Sequence, residues 1–251
     1  MSGAAEAMAG WIPVWADEFD IDGPPDPALW RYLIRPPYVV EEIGLIERTH
    51  FGPAQLGNAR VSGGCLEIEA RKVDYPGVAY MSACLAGIQT MTSGRILVRA
   101  KLPTGRGAWP AIWMLGSDIP KVGWPACGEI DILEFVGKEP DNVYSTLHFK
   151  AAGVHKMNQK RFPTLHPSGD FHVYAMEWYP DRIDFLFDGA RYQSAKTDEA
   201  GIGADNPFRK PQKLLINMAL GGSWGGEIDD SMLPQKYLID YVRIYKSTGS
   251  L

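Results

Sequence analysis

Cysteine is scarce in this chain of 251 residues, which contains only Cys65, Cys84 and Cys127. None of them forms a CxxC pair, so the usual spacing of a zinc site is missing. An odd number of cysteines allows at most one disulfide and leaves a free thiol. Because a chain of this length can bury a full hydrophobic core, it needs neither a disulfide nor a metal to fold.

The sequence also lacks a long apolar run and a block of positive charge. No stretch approaches the ~20 apolar residues of a membrane-spanning helix. The formal net charge is -5, which argues against nucleic acid or an anionic membrane surface as a partner. A composition of 45% hydrophobic and 22% charged residues excludes a disordered or collagen-like protein. We therefore expect a globular protein without nucleic-acid or membrane partners.

The first ten residues have neither the basic segment nor the apolar stretch of an intact signal peptide. We interpret residues 1–10 as a flexible leader or a remnant of cloning. No repeat, low-complexity tract or linker divides the remainder, so residues 11–251 are predicted to form a single domain.

Aromatic and turn-forming residues are abundant, with 8 Trp, 11 Tyr, 9 Phe, 27 Gly and 19 Pro. Polar and apolar residues alternate in five runs separated by turn signals, at 66–71, 95–102, 171–178, 182–188 and 237–246. Strict alternation along the last run puts Ile239 on one face with Tyr241 and Tyr245, opposite Val242 and Ile244. No segment of 12 or more residues carries a helical apolar stripe. The pattern predicts an all-β domain, a sandwich of two sheets.

Three carboxylates stand close together in the otherwise apolar segment 124–137, WPACGEIDILEFVG. Buried strands rarely contain three acids, because burying an unpaired carboxylate costs several kcal/mol. On a regular strand Glu129 and Asp131 share one face, whereas Glu134 points to the other. A one-residue β-bulge at 132–133 would bring all three side chains onto one face. We therefore predict such a bulge.

This acidic face suits chemistry on an acetal. A retaining glycosidase places two carboxyl groups ~5–5.5 Å apart, one as the nucleophile and one as the acid/base. Neighbouring negative charges give the two carboxyl groups different pKa values, so one carboxyl stays protonated near neutral pH. The aspartate between them can hydrogen-bond the nucleophile. A surface acidic strand or a calcium-binding face is the alternative, which the apolar residues between the acids disfavour.

The run EIDILE at 129–134 closely resembles the bulged ExDxxE signature of glycoside hydrolase family 16. The preceding segment 105–115, GRGAWPAIWML, is similar as well, and WPACGEIDILE resembles bacterial endo-1,3-β-glucanases (laminarinases) most. The resemblance extends over nearly the whole chain, through WADEFD at 15–20, NARV at 58–61, LINMALGG at 215–222 and DYVRIY at 240–245.

The resemblance implies a catalytic domain over residues 11–251 with a β-jelly-roll fold, a sandwich of two antiparallel sheets with a concave substrate cleft. It implies that Glu129 is the nucleophile, Glu134 the general acid/base and Asp131 their helper, without a catalytic cofactor. Many family members hold a structural Ca²⁺ away from the cleft. The matching positions are Glu18, Gly64 and Asp240, largely through backbone carbonyl oxygens, which suit this hard cation.

Aromatic platforms fit the apolar faces of sugars. Trp109 and Trp113 are four residues apart in an alternating stretch and therefore share a face. Trp124 matches the family's sugar-stacking tryptophan beside the bond that is cut. Trp224, between glycines, is predicted at the cleft edge. Core packing is the alternative for each tryptophan.

Four polar residues complete the predicted site. His148 lies where the family carries a histidine near the acid/base, so we expect it to hydrogen-bond Glu134 and help set its protonation. Asn58 and Arg60 resemble residues that reach the minus-side sugars, with Arg60 near the nucleophile. Asn217 lies among apolar neighbours and needs a partner, either a sugar or a catalytic carboxylate.

Two segments depart from the family pattern. Residues 38–57 would border the minus subsites, which leaves chain-length and linkage preference open. Residues 151–167, with several lysines and an arginine, are interpreted as a surface loop near the plus subsites. Handling of an anionic glycan is the alternative.

The leading hypothesis is an endo-acting 1,3-β-glucanase, with mixed 1,3-1,4-β-glucan as a second candidate substrate. A galactan-cleaving hydrolase of the agarase or carrageenase type is the alternative with the same chemistry. A non-catalytic β-glucan recognition module is disfavoured because both glutamates are present, and a transglycosylase also stays open. A polymeric substrate indicates a secreted protein, and we expect a monomer.

Overall fold

The computed structural model describes residues 9–40 and 45–249. Most of the expected leader, residues 1–8, lies outside this part. The described residues contain the following strands: β1 Trp11–Asp17, β2 Trp30–Tyr32, β3 Tyr38–Val40, β4 Leu45–Glu47, β5 Thr49–Phe51, β6 Ala59–Ser62, β7 Cys65–Tyr75, β8 Val78–Ser82, β9 Cys84–Met91, β10 Gly94–Lys101, β11 Ala108–Gly116, β12 Glu129–Glu134, β13 Asn142–Ala151, β14 Val154–Pro163, β15 His172–Trp178, β16 Arg182–Phe187, β17 Ala190–Lys196, β18 Gln212–Leu220 and β19 Gln235–Ser247. Two four-residue helices, α1 Ile119–Val122 and α2 Gly222–Gly225, lie in loops.

Two large sheets make up the fold. The first has ten strands in the order β17-β16-β15-β10-β19-β7-β8-β5, with β1 paired to β19 and β6 to β7. The second has seven, in the order β14-β13-β12-β11-β18-β9-β2, while β3 and β4 form a separate ribbon. All pairs are antiparallel except β5 with β8 among the described strands. This arrangement confirms the predicted two-sheet, all-β architecture.

The alternating runs place one apolar face of each sheet in a shared core. Core side chains with no exposed surface come from both sheets, and they include Leu66, Ile68, Ile96, Val98, Ile112, Ile130 and Ile216. Because successive side chains on a strand point to opposite faces, the other face of the seven-stranded sheet is free to carry polar chemistry. The three cysteines are all free thiols.

The predicted alternation along the C-terminal strand is wrong in one respect. The pairing of β10 with β19 shifts register at Asp240, where Arg99 faces Tyr241 and the next residue, Ala100, faces Ile239. This bulge reverses the parity, so Ile239 joins the core together with Val242 and Ile244. Tyr241 and Tyr245 belong to a different apolar cluster.

Residues 151–167 are also not the surface loop that the sequence suggested. Most of them form β14, which pairs along its whole length with β13 and is an edge strand of the seven-stranded sheet. No helix in the described ranges is long and apolar enough to cross a membrane.

Candidate active site

The predicted β-bulge is present in β12. Trp113 of β11 faces Asp131, whereas its neighbour Ile112 faces Leu133, so Ile132 is the extra residue. The pairing with β13 shifts register over the same stretch. The bulge therefore turns the third acid back onto the face of the first two, while the apolar side chains between them remain in the core.

A cavity opens on this face of the seven-stranded sheet. All three acids line it, together with residues from β4, β11, β18 and the segment after β2. The lining residues are Arg35, Glu47, Trp109, Ala111, Trp113, Glu129, Asp131, Glu134, Asn217 and Ala219. Of the predicted binding residues, Trp109, Trp113 and Asn217 are thus brought together with the acids.

Burial dominates the electrostatics of the acids. It raises the pKa of Glu129 to about 7, although hydrogen bonds from Trp124 and Asp131 and the charge of Arg35 act in the opposite direction. Burial and the nearby charge of Glu129 raise the pKa of Glu134 to about 8. Burial, followed by the charges of both glutamates, raises the pKa of Asp131 well above its usual range. Glu129 is therefore the acid that ionises most readily.

Tryptophan side chains hydrogen-bond to both glutamates. Nε1 of Trp124 donates to Oε2 of Glu129 at 2.9 Å, and Nε1 of Trp109 donates to Oε1 of Glu134 at 3.2 Å. Nε1 of Trp113 donates to Oδ1 of Asn217 at 2.7 Å, so the partner that Asn217 needs is a tryptophan. Each indole thus orients a polar group of the site as well as offering an apolar surface.

The predicted contact between His148 and Glu134 is wrong. His148 pairs across the strands with Glu129, and its Nε2 lies 3.4 Å from Oδ2 of Asp131. The register of β12 with β13 explains the error, because Glu134 pairs with Tyr144, four residues away from His148. Burial lowers the pKa of His148 to about 4, so its imidazole is neutral at physiological pH.

Arg60 does not face the cleft. Its guanidinium lies 2.5 Å from the carboxylate of Glu67 and is half exposed on the ten-stranded sheet. Alternation in β6 buries Ala59 and Val61 in the core, which forces Arg60 outward. Asn58 is buried and donates from Nδ2 to two backbone carbonyl oxygens, those of Glu69 and Met81, rather than lining the cavity.

Trp224 packs against Trp109, which lines the cavity. It lies in the short helix α2, half buried, and packs edge-on against Trp109 and Tyr144, with ring centroids 5.6 and 5.1 Å away. It is not among the lining residues. Its contact with Trp109, which binds Glu134, makes its role in the site indirect.

Sequence reasoning missed two residues of the cavity, Arg35 and Glu47. Their side chains form an ion pair at 2.7 Å, and Glu47 is buried. The guanidinium also lies 5.2 Å from the ring centroid of Phe51. No motif marks Arg35, which follows a three-residue strand, and Glu47 lies in the segment that departs from the family pattern. Only the folded chain shows that this arginine supplies a positive charge near Glu129.

The side chains at the expected calcium positions are already engaged. Both carboxylate oxygens of Glu18 accept hydrogen bonds from Arg243, at 2.8 and 2.7 Å. Oδ2 of Asp240 accepts from Arg99 at 2.6 Å. Gly64 lies in the turn between β6 and β7. These carboxylates do not fit as calcium ligands in this arrangement, which leaves only backbone carbonyl oxygens.

A two-sheet sandwich with three carboxyl groups on one face of a cavity has the arrangement of a glycosidase, which cleaves acetals with a pair of carboxyl groups. The model of the family described as "Glycosyl hydrolases family 16" matches residues 54–243, and the chain belongs to this family.

The chain is 42% identical over 251 residues to a "Beta-glucanase" of Rhodothermus marinus. The alignment covers 94% of this chain and 85% of that protein. Its structure is similar to that of the laminarinase from Rhodothermus marinus, with a TM-score of 0.84 and 39% identity over 95% of this chain and 98% of the other. It is also similar to LamA from Z. galactanivorans in complex with laminaritriose and laminaritetraose, with a TM-score of 0.82, 34% identity, and 93% and 98% coverage. These similarities confirm the β-jelly-roll sandwich.

Proposed function

We propose that this protein is an endo-acting, retaining hydrolase of internal 1,3-β-glucosidic bonds in glucans such as laminarin. The observation that carries the proposal is the β-bulge at Ile132, which puts Glu129, Asp131 and Glu134 on one face inside a cavity. The similarity to a β-glucanase and to laminarinases supports glucan as the substrate.

In the proposed mechanism ionised Glu129 attacks the anomeric carbon, while protonated Glu134 gives its proton to the departing glycosidic oxygen. Asp131 remains protonated and donates a hydrogen bond to Glu129. In the second half, Glu134 takes a proton from water, the hydroxide attacks the same carbon, and Glu129 leaves as a carboxylate. Two inversions give net retention.

Product analysis tests the proposal. The purified protein is incubated separately with laminarin, lichenan, agarose and carrageenan, and the products are separated by size and linkage. We expect a ladder of 1,3-linked glucose oligomers from laminarin, first released as β-anomers in NMR spectra. Cleavage of a galactan alone would overturn the choice of sugar, and binding of glucan without cleavage would identify a recognition module.

The pH profile follows from the two glutamates. Activity requires Glu129 ionised and Glu134 protonated, so kcat/KM should rise with pH through about 7 and fall through about 8. Burial raises both pKa values, which moves the whole profile above the range of ordinary carboxyl groups. The measurement is kcat/KM on laminarin from about pH 4 to 10. A maximum near pH 4.5 would contradict the burial argument.

Arg35 should affect the acid limb of this profile. Its positive charge lowers the pKa of Glu129, so Arg35→Gln is expected to move the acid limb up by as much as about one pH unit. Because Arg35→Gln also leaves Glu47 buried without its cation, the double variant with Glu47→Gln is measured beside it. Arg60→Gln, on the opposite sheet, is the control. Equal shifts from Arg35→Gln and Arg60→Gln would refute a local effect.

We propose that the reaction uses only side chains of this chain, and that a structural Ca²⁺ is held by backbone carbonyl oxygens of Glu18, Gly64 and Asp240. After treatment with EGTA, laminarin turnover at a temperature well below the Tm should be unchanged. Added CaCl₂ should raise the Tm, because an ion that binds only the folded state stabilises it. An unchanged Tm would reject the calcium site.

We further propose that the protein works outside the cell as a monomer. A polymeric glucan does not cross membranes, and the cavity is formed by residues of one chain. Fractionation of the producing cells and light scattering of the purified protein test these two statements.

A further inference from the structure

His155, which no motif marks, contacts the active-site histidine. It lies near the start of β14 and faces Lys150 across the strand pair, two positions from His148. Nε2 of His155 lies 2.9 Å from Nδ1 of His148, and the two rings are nearly parallel, at 17°. Two ring nitrogens at this distance share one proton, because one must donate and the other accept.

The second nitrogen of His148 points to the acids. Its Nε2 lies 3.4 Å from Oδ2 of Asp131, an oxygen that is buried and has no hydrogen-bond partner. Asp131 is also hydrogen-bonded to Glu129. A continuous row of polar groups thus runs from the edge strand to the nucleophile, and His155 is its outermost member.

We propose that His155 is a positioning residue that fixes the tautomer of His148 and thereby keeps Glu129 ionised. Nε2–H of His155 donates to Nδ1 of His148, so the single proton of the neutral imidazole sits on Nε2 and donates to Oδ2 of Asp131. The proton of Asp131 is then free to donate to Glu129. The inference rests on the proposed role of Glu129 as the nucleophile.

The row stabilises the negative charge of Glu129, because each group donates one hydrogen bond towards it. The same hydrogen bonds stabilise Glu129 when it departs as a carboxylate in the second half of the reaction. Without the donor on His155, the proton of His148 can move to Nδ1. Its bare Nε2 would then compete with Glu129 for the proton of Asp131.

Other groups also face Glu129, and the test must separate them from His155. They are Asp131 and Glu134 on its own strand, His148 on β13, the Arg35–Glu47 pair and the indole of Trp124. Trp124 packs on His155 with ring centroids 4.8 Å apart, so loss of this ring could disturb Glu129 through packing. His155→Phe keeps an aromatic ring there without a donor, whereas His155→Gln keeps an N–H donor.

The first measurement is the pH dependence of kcat/KM on laminarin. For His155→Phe we expect the acid limb to move up by about half to one pH unit, which is about three- to tenfold less activity well below the midpoint. The alkaline limb should stay in place, and His155→Gln should restore at least half of the shift. His172→Phe is the control, because His172 binds Asp188 at the surface of the other sheet. An equal loss at all pH values in both His155 variants would indicate packing alone and overturn the proposal.

The second measurement does not depend on activity. Nitrogen-15 NMR of the imidazoles should show His148 protonated on Nε2 in the parent protein and a mixture of tautomers in His155→Phe. A proton on Nδ1 of His148 in the parent would overturn the proposal even if laminarin is cleaved. If the parent cleaves none of the polysaccharides, the proposed function fails. The NMR spectra still show which nitrogen of His148 carries the proton, and so still test the role of His155.

Discussion

Glu129→Gln is expected to lower kcat on laminarin by about 10⁴-fold or more, the scale of loss when a hydrolase loses its nucleophile. The amide cannot form the glycosyl-enzyme, because its oxygen is a weak nucleophile. Trp124 still has an oxygen acceptor at this position, so the fold and glucan binding should be retained. Calorimetry with laminarin oligosaccharides checks binding, and hydrolysis assays check turnover. Asp131→Asn keeps an N–H donor towards Glu129 and should lose much less activity.

Rescue by azide tests whether Glu129 is the nucleophile or has another role in the reaction. In Glu129→Gly the small anion can occupy the space of the carboxylate and attack an activated aryl glycoside directly. A single displacement inverts the anomeric carbon, so the product should be the α-glycosyl azide. A β-glycosyl azide from this variant would show that Glu129 is not the nucleophile, and would assign it to the acid/base position.

The bulge was predictable because parity is a strict property of strands. Glu129 and Glu134 are an odd number of residues apart, so a regular strand would bury one acid in the core at a cost of several kcal/mol. A single extra residue removes that conflict, and β12 contains it at Ile132. The same reasoning failed at Asp240. The bulge there lies in a strand with apolar residues on both faces, so no buried charge indicates that the register shifts.

The positive charge of the site was not predictable in this way. The NARV motif resembles the family and predicts Arg60 in the cleft, but alternation with buried Ala59 and Val61 turns it outward. Arg35 reaches the cavity from a segment without periodicity, and only its long-range ion pair with Glu47 shows its place. His155 was missed for a similar reason, because its partner is decided by the register of β13 with β14. Contacts of this kind depend on tertiary pairing rather than on local pattern.

Glu134→Gln is expected to reduce turnover of laminarin by about 10²–10⁴-fold, the usual contribution of a positioned general acid. A glycosidic oxygen of a sugar is a poor leaving group and needs the proton of Glu134. An activated aryl leaving group needs little protonation, so its cleavage should fall far less in the first step. Parallel assays on laminarin and an aryl glycoside measure this difference, and equal losses on both would contradict the role of Glu134.

The same variant should be more stable than the parent protein at alkaline pH. Folding raises the pKa of Glu134 to about 8, so the folded state holds a proton that the unfolded chain has released. Stability linked to this group is therefore present at low pH and is lost as pH rises towards and through about 8. Gln removes the ionisable group, and the Tm difference in favour of Glu134→Gln should grow from about pH 5 to 8. A Tm difference that is constant over this range would show that Glu134 titrates alike in both states, and would remove the basis for its role as a protonated acid.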